Sequence, residues 1–194
     1  MAGVTSDIIQ LKEVRLSFAR LFTPKAFRQG QTPRYEATFL MDPSRKDHAK
    51  MISTIKKTAK EILSEYYGGA DKIPVKKLEY CFGDADDDGI EYDGYAGMFY
   101  IRTSNQTKPK ILDRNKAELD EASGRPYSGC YVNTNITLWV MDNDFGKRVN
   151  CNLRIVQFNK DSTAFGAKPA EAEEMDIVDI DDDDGVDDGG FLDD

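Results

Sequence analysis

Residues Cys130–Asp142 alternate so regularly that only an extended chain can accommodate them. Cys130, Val132, Thr134, Ile136, Leu138 and Val140 hold the even positions and are mostly apolar, while Tyr131, Asn133, Asn135, Thr137, Trp139 and Met141 hold the odd ones. A period of two puts the two sets on opposite faces of a strand. A second strand is expected over Arg148–Phe158, with Val149, Cys151, Leu153 and Ile155 on the core face and Arg148, Asn150, Asn152 and Arg154 on the other. Between them, Asp142-Asn143-Asp144-Phe145-Gly146 is rich in turn formers and predicts a hairpin.

Ile8–Leu21, Arg34–Met41, Lys77–Phe82 and Gly97–Thr103 also read as strands. In the first, the apolar phase slips between Leu11 and Val14, which predicts a bulge, the device that lets a long strand curl around a barrel. One helix interrupts the β pattern. Asp42 can cap it, Pro43 suits its first turn and Gly68-Gly69 can end it. Ala49, Ile52, Ile55, Ala59, Ile62, Leu63 and Tyr66 recur at steps of three and four and form its apolar face. Lys46, Lys50, Lys56, Lys57 and Lys60 decorate the remainder, a face suited to solvent or to phosphate. Phe22–Pro33, basic and dotted with aromatics, and Arg114–Gly129 are long connections of the kind that is functional or disordered. The fold class expected is mostly β with one helix.

The C-terminus obeys neither period. Residues 171–194 contain 13 carboxylates and no Lys or Arg, so all 26 basic residues lie in residues 1–170 beside 22 acids; the formal charge of −9 divides into +4 for the body and −13 for the tail. A basic body tied to a polyanion is the arrangement of a nucleic-acid binder that carries its own competitor. The plainer reading is a tail that only solubilises. We expect one domain over residues 1–167 and a disordered acidic tail over 168–194, where too little apolar area is available to offset chain ordering.

Several function classes are excluded. No run approaches the ~18 apolar residues of a membrane span, and Met1 to Gln10 lacks a signal-peptide pattern, so a cytoplasmic protein is expected. Cys81, Cys130 and Cys151 are far apart with no CxxC pair, which suits reduced thiols. The only histidine, His48, falls in a Lys-rich helix start and is expected on the solvated surface, leaving no zinc ligand set. Asp84, Asp86, Asp88 and Gly89 open like a calcium loop, but Tyr95 stands where the bidentate Glu is needed, so an acidic surface loop is the better reading. No GxxxxGK[ST], GxGxxG or HExxH occurs, and no Glu-x-Lys follows the Asp84–Asp93 carboxylates on the next strand. No catalysis, cofactor or metal is expected.

The outer face of the predicted hairpin carries Tyr131 and Trp139 beside Arg148 and Arg154, and Tyr100 and Arg102 alternate in the same manner on their strand. Rings offer π-faces to any base and guanidinium groups hold the phosphate chain, the combination that single-strand binding without sequence readout requires. The competing reading packs this face under another element or a second subunit.

Other segments add a resemblance. Tyr127-Ser128-Gly129-Cys130-Tyr131-Val132-Asn133, Val156-Gln157-Phe158, Ala164-Phe165-Gly166, Arg34-Tyr35-Glu36-Ala37-Thr38-Phe39-Leu40 and Val14-Arg15-Leu16-Ser17-Phe18 resemble segments of a family of phage single-stranded DNA-binding proteins, in order over residues 8–166 and joined by an acidic tail. The resemblance implies an OB-like five-stranded barrel, binding of single-stranded DNA without sequence preference in replication or recombination, no catalysis, and dimerisation as an expectation. An ordinary OB barrel places its helix after the third strand, whereas only two strands precede Asp42 here. The stacking candidates are Phe27, Tyr100, Tyr131 and Trp139; the phosphate candidates are Lys25, Arg28, Arg34, Arg102, Arg148 and Arg154. Phe191 and Leu192, isolated among acids and glycines, are candidate anchors for a replication or recombination partner. The rival reading is a protein-interaction or chaperone-like module whose tail captures basic partners.

Overall fold

The computed structural model describes residues 4–26, 29–144 and 146–166, and every structural statement refers to these. In chain order the elements are β1 (Ile9–Lys25), β2 (Arg34–Met41), α1 (Lys46–Tyr67), β3 (Leu78–Tyr80), β4 (Phe82–Asp84), β5 (Phe99–Asn105), β6 (Lys110–Leu112), β7 (Tyr131–Asn143) and β8 (Gly146–Lys160).

Five strands form a ring. β1 pairs antiparallel with β2 and β7, β2 with β5, and β7 with β8. A single parallel pairing, Ser104 with Asn152, closes the circuit between β5 and β8. The order β1-β2-β5-β8-β7 with one parallel seam is that of a partly open OB-like barrel. The helix stands between the second and third ring strands, as the strand count before Asp42 implies. Its Ile52, Ile55, Ala59, Ile62 and Leu63 join Leu11, Val14, Phe39, Ile101, Leu138 and Leu153 in one core.

Bulges shape the ring. The slip anticipated between Leu11 and Val14 is present, with Glu13 at φ 52 and its N–H donating to Asn133 Oδ1 at 2.9 Å. A second shift falls between Ser17 and Arg20, where Phe18 takes φ 49. A third, in β8, leaves Arg154 without a partner opposite β7. Beyond it the buried phase changes from odd to even positions, so Val156 and Phe158 fill the core and Ile155 is only half-buried, against the expectation for Ile155.

Other local expectations are corrected. The helix begins at Lys46 and Arg45 is its N-cap; Asp42 instead pins the preceding turn, accepting from the Ser44 N–H at 2.8 Å and the Ser44 hydroxyl at 2.6 Å. Gly68, at φ 72, does end it. His48 is 3 % exposed rather than solvated, because its Nδ1 accepts the Asp42 N–H at 2.9 Å where β2 gives way to the turn. The strand expected over Lys77–Phe82 is two short strands on either side of Cys81, β3 parallel on β8 and β4 antiparallel on β5. In the acidic loop Asp84 accepts from the Asp86 N–H, Asp86 from the Gly97 N–H and Asp88 from the Tyr100 hydroxyl, so these carboxylates serve the loop's own donors. Among the described residues no three His, Cys, Asp or Glu side chains converge on a metal position.

Candidate nucleic-acid interface

Where the ring closes by one pairing, the chain cannot pack flat, and a groove of about 550 Å³ opens along the β5–β8 seam. Its walls come from β1, β2, β3, β5, β8 and the Ile90–Tyr95 stretch. The second β1 bulge matters here. Ser17 and Leu16 are both buried, and the left-handed Phe18 between Ser17 and Ala19 is turned out, 47 % exposed. A left-handed phenylalanine is strained, and such strain clusters at functional sites.

Phe18 belongs to a ring cluster. It meets Tyr92 edge to face with centroids 5.1 Å apart, and both lie against Tyr95, at 6.3 Å from Phe18 and 5.6 Å from Tyr92. Tyr95 is buried and its hydroxyl donates to Ser17 Oγ at 3.3 Å, which fixes the base of the cluster. Tyr92 is 61 % exposed. On the opposite wall Tyr80, 40 % exposed, leans on Phe82 at 5.1 Å, and Phe82 in turn on the core residue Phe99 at 5.7 Å. Burial raises the phenols of Tyr80 and Tyr95 above their ordinary value.

Three guanidinium groups interleave with the rings. Arg102 is exposed, makes no ion pair among the described residues, and lies over the Tyr100 ring 4.6 Å from its centroid. Arg148 pairs with Glu79 at 2.8 Å, and Arg20 with Glu36 at 3.3 Å. The Glu36 carboxyl is raised, because its burial outweighs the nearby Arg20 and Arg34 charges. Rings that stack on any base, set between cations that hold phosphate, bind a single strand without reading its sequence.

The structure thus brings together two of the expected residues, Arg102 and Arg148, with four that sequence reasoning missed: Phe18, Arg20, Tyr80 and Tyr92. A signal for Phe18 was present, since Leu16 and Leu21 are both core residues at an odd spacing and so require a slip between them. Arg34 reaches the groove rim, its Nη1 donating to Ser104 Oγ at 3.5 Å, and Lys25 pairs with Arg34 across the β1–β2 ladder. Tyr100 is no exposed platform. It is 4 % exposed, donates to Asp88 Oδ2 at 2.7 Å, and burial followed by that bond pushes its phenol up to about 12.

The remaining candidates lie elsewhere. Tyr131 is half-buried away from the groove, with Lys160 Nζ 4.7 Å and the Arg15 guanidinium 5.8 Å from its centroid. Trp139 is half-buried in a separate cleft with Thr5, Tyr66, Met141 and Asn152, one strand across from the groove residue Asn150. Arg154 is exposed at the β8 bulge and does not line the groove. Phe27, Arg28, Phe191, Leu192 and the acidic tail lie outside the described residues.

Known proteins resemble this chain in sequence and in fold. A curated relative, the putative protein p50 of Acyrthosiphon pisum secondary endosymbiont phage 1, is 40 % identical over 175 residues, covering 87 % of this chain and 92 % of that protein. The single-stranded DNA-binding protein from bacteriophage Enc34, solved in complex with ssDNA, superposes with a TM-score of 0.72 at 30 % identity, covering 82 % of this chain and 89 % of that one. The single-stranded DNA-binding protein encoded by bacteriophage T7 shares the fold, with a TM-score of 0.54 at 14 % identity over 89 % of this chain and 94 % of that one. The model of the family described as Enterobacter phage Enc34, ssDNA-binding protein, matches residues 7–186, and the chain belongs to that family.

Proposed function

We propose that this protein coats single-stranded DNA without sequence preference during phage or mobile-element replication and recombination, in the host cytoplasm, as a binding protein rather than a catalyst. The observation that carries this reading is the seam groove, in which Phe18, Tyr80 and Tyr92 are interleaved with Arg20, Arg102 and Arg148. Family membership and the likeness to a protein solved with ssDNA support it. Each stacked base contributes about 1–3 kcal/mol.

The acidic tail acts in this reading as a tethered competitor. Phe165 lies over Gly94, and the Gly166 N–H donates to Asp93 Oδ2 at 3.2 Å, beside the Phe18–Tyr92 pair. The described chain therefore ends beside the groove at Gly166, and in this reading a short linker from there keeps the 13 carboxylates of residues 171–194 at roughly millimolar effective concentration. When DNA displaces it, Phe191 and Leu192 become available to a replication or recombination partner.

The test is a salt titration of binding to oligo(dT), beside a matched duplex, with protein lacking residues 171–194. Neutralising about three to five phosphates gives a log–log slope of about −2 to −3.5 for a single strand. Absence of oligo(dT) binding at 50 mM salt would overturn the proposal.

A further inference from the structure

Five charged side chains line the groove, and two of them are acids, Glu36 and Glu79, which neither stacking nor phosphate contact requires. Glu79 is the middle residue of β3 and the register partner of Arg148 on the parallel β8. Its Oε2 lies 2.8 Å from Arg148 Nε, with 69 % of the Glu79 side chain and 44 % of the Arg148 side chain exposed. Among the described residues no other carboxylate pairs with Arg148.

Glu36 is placed differently. It meets Arg20 across the β1–β2 ladder at 3.3 Å, and only 19 % of its side chain is exposed. Released from Arg20, the Glu36 carboxylate would lose its partner without gaining full hydration, which is costly for a charge. Glu79 released from Arg148 is rehydrated at once, because water already competes for both members of an exposed pair. The two acids of the groove therefore differ in whether they can let go of their cation.

We propose that Glu79 is the resident counterion of the DNA groove, holding Arg148 while the groove is empty and yielding it to a phosphate of the incoming strand. The inference deepens the reading of the groove as the DNA site and rests on it. A phosphate offers the guanidinium fork two oxygens in matching geometry, and it arrives tethered. Once Arg102 and the rings have engaged neighbouring nucleotides, the next phosphate reaches Arg148 at a high effective concentration. An isolated anion in solution has no such advantage. Glu79 then turns out into solvent.

A strand must thus displace a carboxylate at Arg148 but none at Arg102, which makes no ion pair among the described residues. Affinity is lower than the cations alone would give. Salt screens the Glu79–Arg148 pair as well, so the handicap shrinks as salt rises. Binding by the unmodified chain consequently falls with salt less steeply than binding by a chain lacking the Glu79 charge.

The test is a double-mutant cycle in the full-length protein, with oligo(dT) affinity read by fluorescence anisotropy across a salt series. Glu79→Gln keeps the side-chain shape, removes the charge and lies at an exposed position, so urea midpoints serve to confirm that it folds as the unmodified chain does. It should bind oligo(dT) about two- to fivefold more tightly at low salt, the range of one exposed ion pair, with the gain fading as salt rises. In an Arg148→Ala background the same substitution should gain much less. Glu61→Gln, the same change of charge at the exposed Lys57 pair on α1, should gain less than Glu79→Gln as well. Weaker binding by Glu79→Gln would make Glu79 a brace that aims Arg148 and would overturn the proposal. Unchanged affinity would overturn it too, as would an equal gain with and without Arg148, which would reduce Glu79 to general repulsion. Arg102→Ala separates this failure from failure of the groove itself. If Arg102→Ala weakens binding while Glu79→Gln does not tighten it, only the counterion is lost; if neither substitution changes affinity, the groove is not the DNA site.

Discussion

Phe18 and Tyr92 meet edge to face at the mouth of the seam groove, their centroids 5.1 Å apart and their planes at 79°. One comes from a bulged strand and the other from a loop, and neither ring is fully covered. Phe18→Ala and Tyr92→Ala should each weaken oligo(dT) binding by about 1–3 kcal/mol, measured by fluorescence anisotropy. Phe18 also allows binding to be separated from stability. At φ 49, glycine avoids a left-handed backbone cost that alanine bears. Phe18→Gly should therefore be more stable than Phe18→Ala by about 1 kcal/mol while binding DNA no better. Equal denaturation midpoints for the two would show that the bulge does not impose this backbone.

The cations should not be equivalent. Arg102→Ala should weaken binding and reduce the salt slope by about 0.7, the value of one single-strand phosphate. Arg154→Ala, at an exposed bulge outside the groove, should change neither. Arg148→Ala should cost less than Arg102→Ala, because Glu79 already holds Arg148 at 2.8 Å. Salt titrations of the three variants separate these outcomes.

Much of this arrangement was legible in the chain. The alternation from Cys130 to Val140, the slip between Leu11 and Val14 and the apolar face of α1 from Ile52 onward each depend on local periodicity, and each is present in the structure, except that Ala49, expected on the helix's apolar face, is exposed and Thr137, expected on the strand's outer face, is buried. Ile155 was misplaced because a one-residue bulge at Arg154 reverses every face beyond it, and the side chains alone gave no turn residue to mark it. The groove was harder to read. Its platforms come from β1, β3 and the Ile90–Tyr95 stretch, which meet only once the ring closes. Tyr100 shows the limit of alternation: it stands beside Arg102's face, yet the acidic loop folds over it and takes its hydroxyl.

His48 should give stability a pH dependence in a window of its own. Burial, the largest cause, and the Arg45 charge lower its pKa from 6.5. The unfolded chain therefore binds more protons than the folded one just below that value, and stability falls as the pH drops through 6.5 toward the lower folded value. One such group contributes a slope of at most about 1.4 kcal/mol per pH unit. Asp42, Asp47, Asp142 and Asp161 are lowered from 3.8, so their contributions are lost only at more acidic pH. In urea titrations His48→Asn, which keeps an acceptor for the Asp42 N–H, should remove the slope just below 6.5 and leave the acid limb.

Deleting residues 171–194 should tighten oligo(dT) binding several-fold at low salt. The gain should shrink as salt screens the carboxylates over a Debye length of about 10 Å at 0.1 M. Equal affinity with and without the tail at low salt would remove the competition and leave the body's own binding intact. Replacing Phe191 and Leu192 with Ala should leave DNA affinity unchanged and abolish capture of a replication or recombination partner in a pull-down.

Photo-crosslinking of oligo(dT) to the tail-deleted protein, with the attached peptides identified by mass spectrometry, tests the central claim most directly. The account predicts crosslinks on the groove rings Phe18, Tyr80 and Tyr92, suppressed by excess unlabelled oligo(dT) and lost with salt in step with binding. Crosslinks confined to Tyr131 and Trp139, with Phe18, Tyr80 and Tyr92 unmodified, would place the DNA on the outer face of the β7–β8 hairpin and contradict it.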